Sequence, residues 1–366
     1  MSQLLIQLRC MLFAAALIAS FVGGSAAYAQ SQSPPPSGGG PASANIFEVE
    51  QQKEQASRQR TQPGNNAPVW REVNSGDTHY SSLPAREAGV LIQKWGERWR
   101  QFRNGPVTLA GGWGLVLVLL AIAAFYLYRG PIEVTQPATG RMIERFTIVE
   151  RVVHWLNAGC FVLLGLTGLT MLFGKHVVLP IFGQTLFSWL AIIAKTAHNF
   201  VGPLFAATII AIFLTFVRDN FPHAYDLTWL RKGGGLLSGE HVPSARFNAG
   251  EKIVFWGGVV TLGIIVSVSG FVLDFPNFDQ TRGQMQFAWV FHVVGALLFL
   301  AMIFGHIYIG TLGMEGALDA MRTGYVDEAW AKEHHEYWYE DIKAGKIPAQ
   351  RSTAPDGPAA GVQQKA

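Results

Sequence analysis

Charge is scarce in this sequence. Only 14% of its 366 residues are Asp, Glu, Lys or Arg, and 49% are hydrophobic. A soluble chain carries about 25% charged residues, so the shortage points to a membrane. The net charge of +3 is too small and too scattered to support a nucleic-acid partner. Cysteine is scarcer still. Of two, Cys10 falls in a leader-like stretch and Cys160 in an apolar run. One mature thiol excludes an internal disulfide, a Cys-rich zinc site and a Cys-ligated iron–sulfur cluster. Any cofactor must be held mainly by histidine.

Residues 1–29 read as a signal peptide. Arg9 supplies the charge, Met11 to Val22 the apolar core, and Ala27-Tyr28-Ala29 a small-x-small cleavage site. An uncleaved anchor is the alternative. Either one exports the residues after it, which suggests a bacterial periplasm. Residues 30–66, rich in Pro, Gly, Ser, Ala and Gln, are expected to be a disordered linker. Residues 67–105 form a periplasmic segment. Within it, Glu87 to Arg103 suits either an amphipathic helix on the membrane surface or a packed strap. A disordered C-terminus is expected over 342–366.

Five apolar runs approach the about 20 residues that a bilayer needs. They are Val107–Tyr128 (within an extra N-terminal span, 106–129), Val152–Phe173, Thr196–Val217, Ile253–Leu273 and Gln286–Gly313. Val177–Ile193 is also apolar, but Pro180 and Gly183 favour an interfacial or re-entrant segment. Arginine and lysine concentrate in the 129–151 and 218–252 loops. The positive-inside rule makes these cytoplasmic. The mature N-terminus is then periplasmic and the C-terminus cytoplasmic, in a multi-pass protein of the bacterial inner membrane.

Four of the ten histidines fall inside spans: His154, His198, His292 and His306. His292 and His306 share the last span, fourteen positions apart. That is about 21 Å along a helix and within roughly 40° of one face. The topology sorts the four by depth. His198 and His292 lie near the periplasmic face, His154 and His306 near the cytoplasmic face. Burying an unpartnered ring is costly, and ionisable groups in spans are functional candidates. Two bis-histidine b-type haems, one near each face, suit this arrangement. Glycines 165, 168, 202, 270, 295 and 305 permit close approach of helices or of a macrocycle. Loop arginines are candidates to pair with haem propionates. His79, His176 and His223 carry no specific expectation. His334 and His335 fall in an amphipathic tail expected to be solvated or to contact another subunit.

RFTIVERVVHW (145–155), AHNFVGPLF around His198, NAGEK (248–252) and the last span with its WAKEHHEYWY continuation together resemble the cytochrome b (gamma) subunit of respiratory formate dehydrogenases. The resemblance covers residues 141–341. It implies an all-α membrane fold: a four-helix dihaem cytochrome b bundle, plus the extra N-terminal transmembrane helix. It implies haem iron ligated by His198 with His292 and by His154 with His306. It also implies a menaquinone or ubiquinone site at Asn248, Gly250 and His306. Asn248 with Glu251 three positions on is equally a helix-capping box.

The function so implied is electron transfer across the membrane to quinone. The partners are an iron–sulfur beta subunit and a molybdenum or tungsten pterin alpha subunit that oxidises formate. This chain has no formate-oxidising site of its own. Alternatives are the cytochrome b of a nickel–iron hydrogenase or related oxidoreductase, and a haem-free anchor or transporter.

Overall fold

Helix dominates because apolar runs of this length can satisfy their backbone groups in a membrane only within themselves. A computed structural model of the protein describes residues 79–80, 90–92, 96–278 and 280–352. The expected leader and linker lie outside the described residues. Four helices among those described are long and apolar enough to cross a membrane: Gly96–Arg129, Ile148–Asn220, Ala249–Asp274 and Arg282–Gly313. The fold is an all-α membrane protein.

The chain divides into two units. The first takes the described residues up to Leu109 and those within Phe173–Ser188 and Asn277–Gln286. Here β1 (His79–Tyr80) pairs antiparallel with β2 (Val90–Ile92), and α1 covers Gly96–Phe102. Of the stretch Glu87 to Arg103, read as either a surface helix or a packed strap, Val90–Ile92 is a strand and Gly96–Phe102 a helix. A wide turn comes next over Arg103–Val107, around Pro106, which offers no N–H. Thr108 Oγ1 donates to Arg103 O at 2.7 Å and closes it.

The second unit holds α2 (Thr108–Arg129, from Ala110), most of α3 (Ile148–Phe216), α4 (Ala224–Arg231), α5 (Ala249–Asp274), α6 (Arg282–Tyr308, from Phe287) and the tail. A straight helix of 69 residues would run about 100 Å, over three times the about 30 Å hydrocarbon core. It does not run straight. Gly183 has φ 76° and ψ 175°, a conformation that glycine alone adopts readily, and it divides α3 into two arms. The arms hold the second and third expected spans. The 177–193 stretch, expected to be interfacial or re-entrant, is helical on both sides of Gly183.

Hydrogen bonds and close packing fix the arms side by side. Thr208 Oγ1 donates to Asn157 Oδ1 at 2.9 Å, and Thr167 Oγ1 meets His198 Nδ1 at 2.8 Å. α5 and α6 complete four helices. A Cβ on Gly295 would stand 3.1 Å from Ile265, and one on Gly263 3.0 Å from Ile209. α2 lies along α6, with Gly111 against Leu297 and Tyr308 edge-on to Phe125 and Tyr126. The middle of α5, Val254–Leu262, is wound as a π-helix, with Gly258 seating Phe299 and Met302.

One end of this unit is closed by a polar cap. β3 (Met142–Glu144) pairs antiparallel with β4 (Tyr325–Asp327). α7 (Ala317–Thr323), α8 (Glu328–His334) and α9 (Glu336–Lys343) pack on the ladder. Phe146, Phe216, Phe247, Trp330 and Trp338 form its core. Of the tail expected to be solvated or to contact another subunit, His335 is instead buried within this chain. His335 is 1% exposed, and its Nδ1 bonds Ala245 O at 2.7 Å. His334 Nε2 is buried without a partner. The tail is amphipathic because it packs on the loop before α5, not because it lies free. Order also extends past 342. Arg351 reaches Glu150 at 2.9 Å, and Ser352 reaches Glu144 at 2.5 Å.

Candidate cofactor site

Three helical segments carry the four intramembrane histidines. His154 is on the first arm of α3, His198 on the second, and His292 and His306 on α6. The structure places His198 beside His292, with ring centroids 6.0 Å apart, and His154 beside His306, at 6.2 Å. The pairs stand at opposite ends of one uninterrupted helix, α6, about 21 Å apart along its axis.

These spacings can be compared with the chemistry. Imidazole nitrogen binds a metal at about 2.0–2.1 Å, and the ring centroid lies roughly 1.1 Å beyond, so two imidazoles sharing one metal from opposite sides have centroids about 6.3 Å apart. Both pairs have that gap. Among the described residues no group of three or more His, Cys, Asp or Glu could hold a metal ion. Two axial imidazoles are the protein donors a haem iron takes, with the macrocycle filling the remaining positions.

Hydrogen bonds orient one pair. His292 Nδ1 lies 3.0 Å from Val266 O, and a carbonyl only accepts, so Nδ1 bears the proton. Ser269 Oγ, at 3.3 Å, lies on the same side. Thr167 Oγ1 donates to Leu163 O at 2.8 Å and so accepts from His198 Nδ1. Both Nε2 lone pairs are left for a metal. Glycine makes the room: a Cβ on Gly168 would sit 3.4 Å from His198 and one on Gly270 3.2 Å from His292. The other pair differs, for His154 Nδ1 is buried with no partner. Gly202 and Gly305, one turn from His198 and next to His306, have nothing within 4 Å of an added Cβ. That open space beside two of the histidines suits a flat macrocycle.

Asn248 caps α5. Its Oδ1 accepts from Glu251 N at 3.0 Å, and Glu251 Oε2 accepts from Asn248 N at 2.9 Å. The amide nitrogen of Asn248 is not used by this capping box. Gly250 lies under Trp229, where a Cβ would come within 2.9 Å of the indole. His306 is exposed, His154 half-buried. Four arginines of this end are engaged within the protein. Arg145 pairs with Glu251, Arg246 with Glu150, Arg141 with Glu328, and Arg151 bonds Arg322 O. Lys252 is buried against Asp226 at 2.8 Å, and His223 Nδ1 lies 3.3 Å from its ammonium.

Sequence reasoning does not single out Thr167, Ser269 or the Val266 carbonyl. The hydroxyls stand inside apolar runs, and that isolation is the available signal. The carbonyl leaves none.

An apolar helical bundle with paired histidines inside it is that of a membrane cytochrome b. The family model of prokaryotic cytochrome b561 matches residues 145–324. The formate dehydrogenase cytochrome b556(fdo) subunit of Escherichia coli is 32% identical over 210 residues, covering 55% of this chain and 93% of the relative. The nitrate-inducible cytochrome b556(Fdn) subunit of the same species is 27% identical over 209 residues, 56% of this chain and 93% of the relative. A formate dehydrogenase cytochrome b556 subunit of Haemophilus influenzae is 26% identical over 217 residues, 56% and 85%. The chain belongs to the family of formate dehydrogenase cytochrome b556 subunits, and is a membrane cytochrome b subunit of formate dehydrogenase.

Proposed function

We propose that this chain holds two b-type haems and passes electrons between them, from a periplasmic iron–sulfur subunit to quinone at the cytoplasmic face. His198 and His292 hold one iron, and His154 and His306 the other. The observation that carries the reading is the pair of imidazole gaps, 6.0 and 6.2 Å, at opposite ends of one helix. Haem iron, when bound, supplies one-electron redox chemistry with both axial positions filled, which suits transfer rather than oxygen binding.

The residues of the chain do the rest. The Val266 carbonyl and Thr167 hydroxyl fix the donor and acceptor nitrogens of their histidines. At the other end, Asn248 keeps its amide N–H groups for a quinone carbonyl while its oxygen caps α5. Gly250 keeps Trp229 close to that turn, and His306 would serve both the iron and the quinone site. Reduction of quinone would take two electrons and two protons from cytoplasmic water. The arginines gathered at the His154 and His306 end support its assignment to the cytoplasm. The proposed partners are an iron–sulfur beta subunit and an alpha subunit with a molybdenum or tungsten pterin, in a formate:quinone oxidoreductase of the bacterial inner membrane.

The test is a haem count on the purified chain. A reduced-minus-oxidised spectrum with a b-type band and two haems per chain is expected. His292→Ala and His306→Ala should each lower the count to one. A wild-type preparation without the band would overturn the reading.

A further inference from the structure

Phe299 stands midway along α6, seven residues from His292 and seven from His306. Phe161 lies seven residues beyond His154, and Phe205 seven beyond His198. Seven residues are nearly two turns, about 10.5 Å, and return to almost the same helix face. The arms of α3 start from opposite ends of the bundle, so the offsets converge on one level. There the three rings meet. Phe161 and Phe299 have centroids 4.8 Å apart, Phe161 and Phe205 6.0 Å, and Phe205 and Phe299 6.4 Å.

The layer is dry by composition. Phe299 is 2% exposed and Phe205 4%. Cys160, Ile209 and Val266 are buried against them. Residues 155–172, 199–217, 253–273 and 287–307 contain no Asp, Glu, Lys or Arg. The polar pair Asn157 and Thr208, toward the His154 end, is bonded to itself at 2.9 Å.

We propose that the Phe161, Phe205 and Phe299 layer separates electron from proton: it passes electrons between the two histidine levels and denies the water chain a proton would need. This rests on the reading that each pair holds a redox centre. An electron tunnels through packed matter. A proton needs a hydrogen-bonded relay, and phenyl rings packed edge-on and tilted offer none. One electron leaves the His198 and His292 level, which is oxidised, and arrives at the His154 and His306 level, which is reduced. No bond forms or breaks, and no proton accompanies it. A proton returning through the bundle would cancel the charge so separated.

The test uses the whole complex in sealed liposomes with a pH-sensitive dye inside, without formate or quinone, under a potassium diffusion potential. Haem content is read from the same vesicles. Phe299→Ser places a hydroxyl in the layer and should raise proton leakage about tenfold, as a polar group admits water into a membrane interior. Phe299→Leu stays apolar and should leave the vesicles as tight as wild type. Phe299→Ser that keeps both haems and leaks no more than wild type would overturn the proposal. If that variant fails to assemble, Phe161→Ser, at the less buried edge, carries the same expectation and the same overturning result. A wild-type spectrum without two haems would instead remove the underlying reading, and the spectrum reports this independently of the leak.

Discussion

Arg145 and Arg246 each donate to the other's main-chain carbonyl. Nη2 of Arg145 lies 3.1 Å from Arg246 O, and Nη2 of Arg246 lies 2.6 Å from Arg145 O. Their guanidiniums also share the Phe146 ring, at 5.0 and 5.2 Å from its centroid. Two like charges tolerate this closeness because carboxylates surround them. Glu251 takes Arg145, while Glu150 and Asp219 take Arg246. The exchange ties the turn before α3 to the turn before α5, and so sets where Asn248 stands.

Arg246→Ala should therefore destabilise the cap strongly. It leaves the buried Glu150 with Arg351 alone as an ion-pair partner and the Arg145 carbonyl with only the longer 3.4 Å bond from Arg351. Breaking one side of a buried pair costs about 3–5 kcal/mol. Thermal unfolding in detergent should show it. Arg246→Lys should rescue little, because an ammonium cannot serve a carbonyl and two carboxylates as the planar fork does.

The two histidine pairs should lose haem unequally. His198 and His292 are oriented through their Nδ1 atoms, whereas His154 Nδ1 has no partner. Partners of this kind are worth about 10–100-fold in metal affinity. Progressive denaturant should empty the His154 and His306 end first. Thr167→Val should remove the advantage of the other end by a similar factor. Haem retention against denaturant, read optically in both proteins, checks this.

Asn248→Ser separates capping from quinone contact. Serine caps a helix about as well as asparagine, so the melting temperature should barely move. The amide N–H donors are lost, and quinone reduction should fall about tenfold, the scale of one hydrogen bond of about 1–1.5 kcal/mol. Haem content should be unchanged. Full quinone reduction in this variant would leave Asn248 as a cap alone.

Acid should loosen the tail before the bundle. Burial holds His334 down at about 4. Glu333 opposes that, Arg145 and His241 reinforce it, and Glu251 opposes it too. Burial and then Arg145 hold His335 well below the ordinary value, against its bond to Ala245 O. Both rings are neutral when folded and titrate near 6.5 when unfolded. Between those values the unfolded state binds more protons, so stability falls as pH drops from about 6.5 toward 4, by roughly 2–3 kcal/mol for His334. His334→Leu should flatten that slope. Amide exchange in residues 328–343 as a function of pH would measure it.

Much of this was legible in the sequence, for physical reasons. The apolar helical runs and the grouping of the four histidines into two pairs follow from hydropathy and helix spacing, which act locally. The capping box at Asn248 is a local pattern as well. What escaped depends on distant segments meeting. Val90 and Ile92 pair with His79 and Tyr80, and His335 is buried by a loop about ninety residues earlier. The three phenylalanines read as ordinary core residues until their shared offset of seven is set beside the crossing of the helices. In the 177–193 stretch, Gly183 at φ 76° interrupts the helix for one residue, while Pro180 is accommodated within it.

Arg351 reaches Glu150 from 201 positions further along the chain. Synthesis proceeds at about 5–20 residues per second, so roughly 10–40 s separate the two at the ribosome. The ion pair between Glu150 and Arg351 cannot form during that interval. The contacts of Thr167 with His198 and of Val266 with His292 can form once α6 is made. The Glu150 end therefore gains this partner later than the His292 end gains its own.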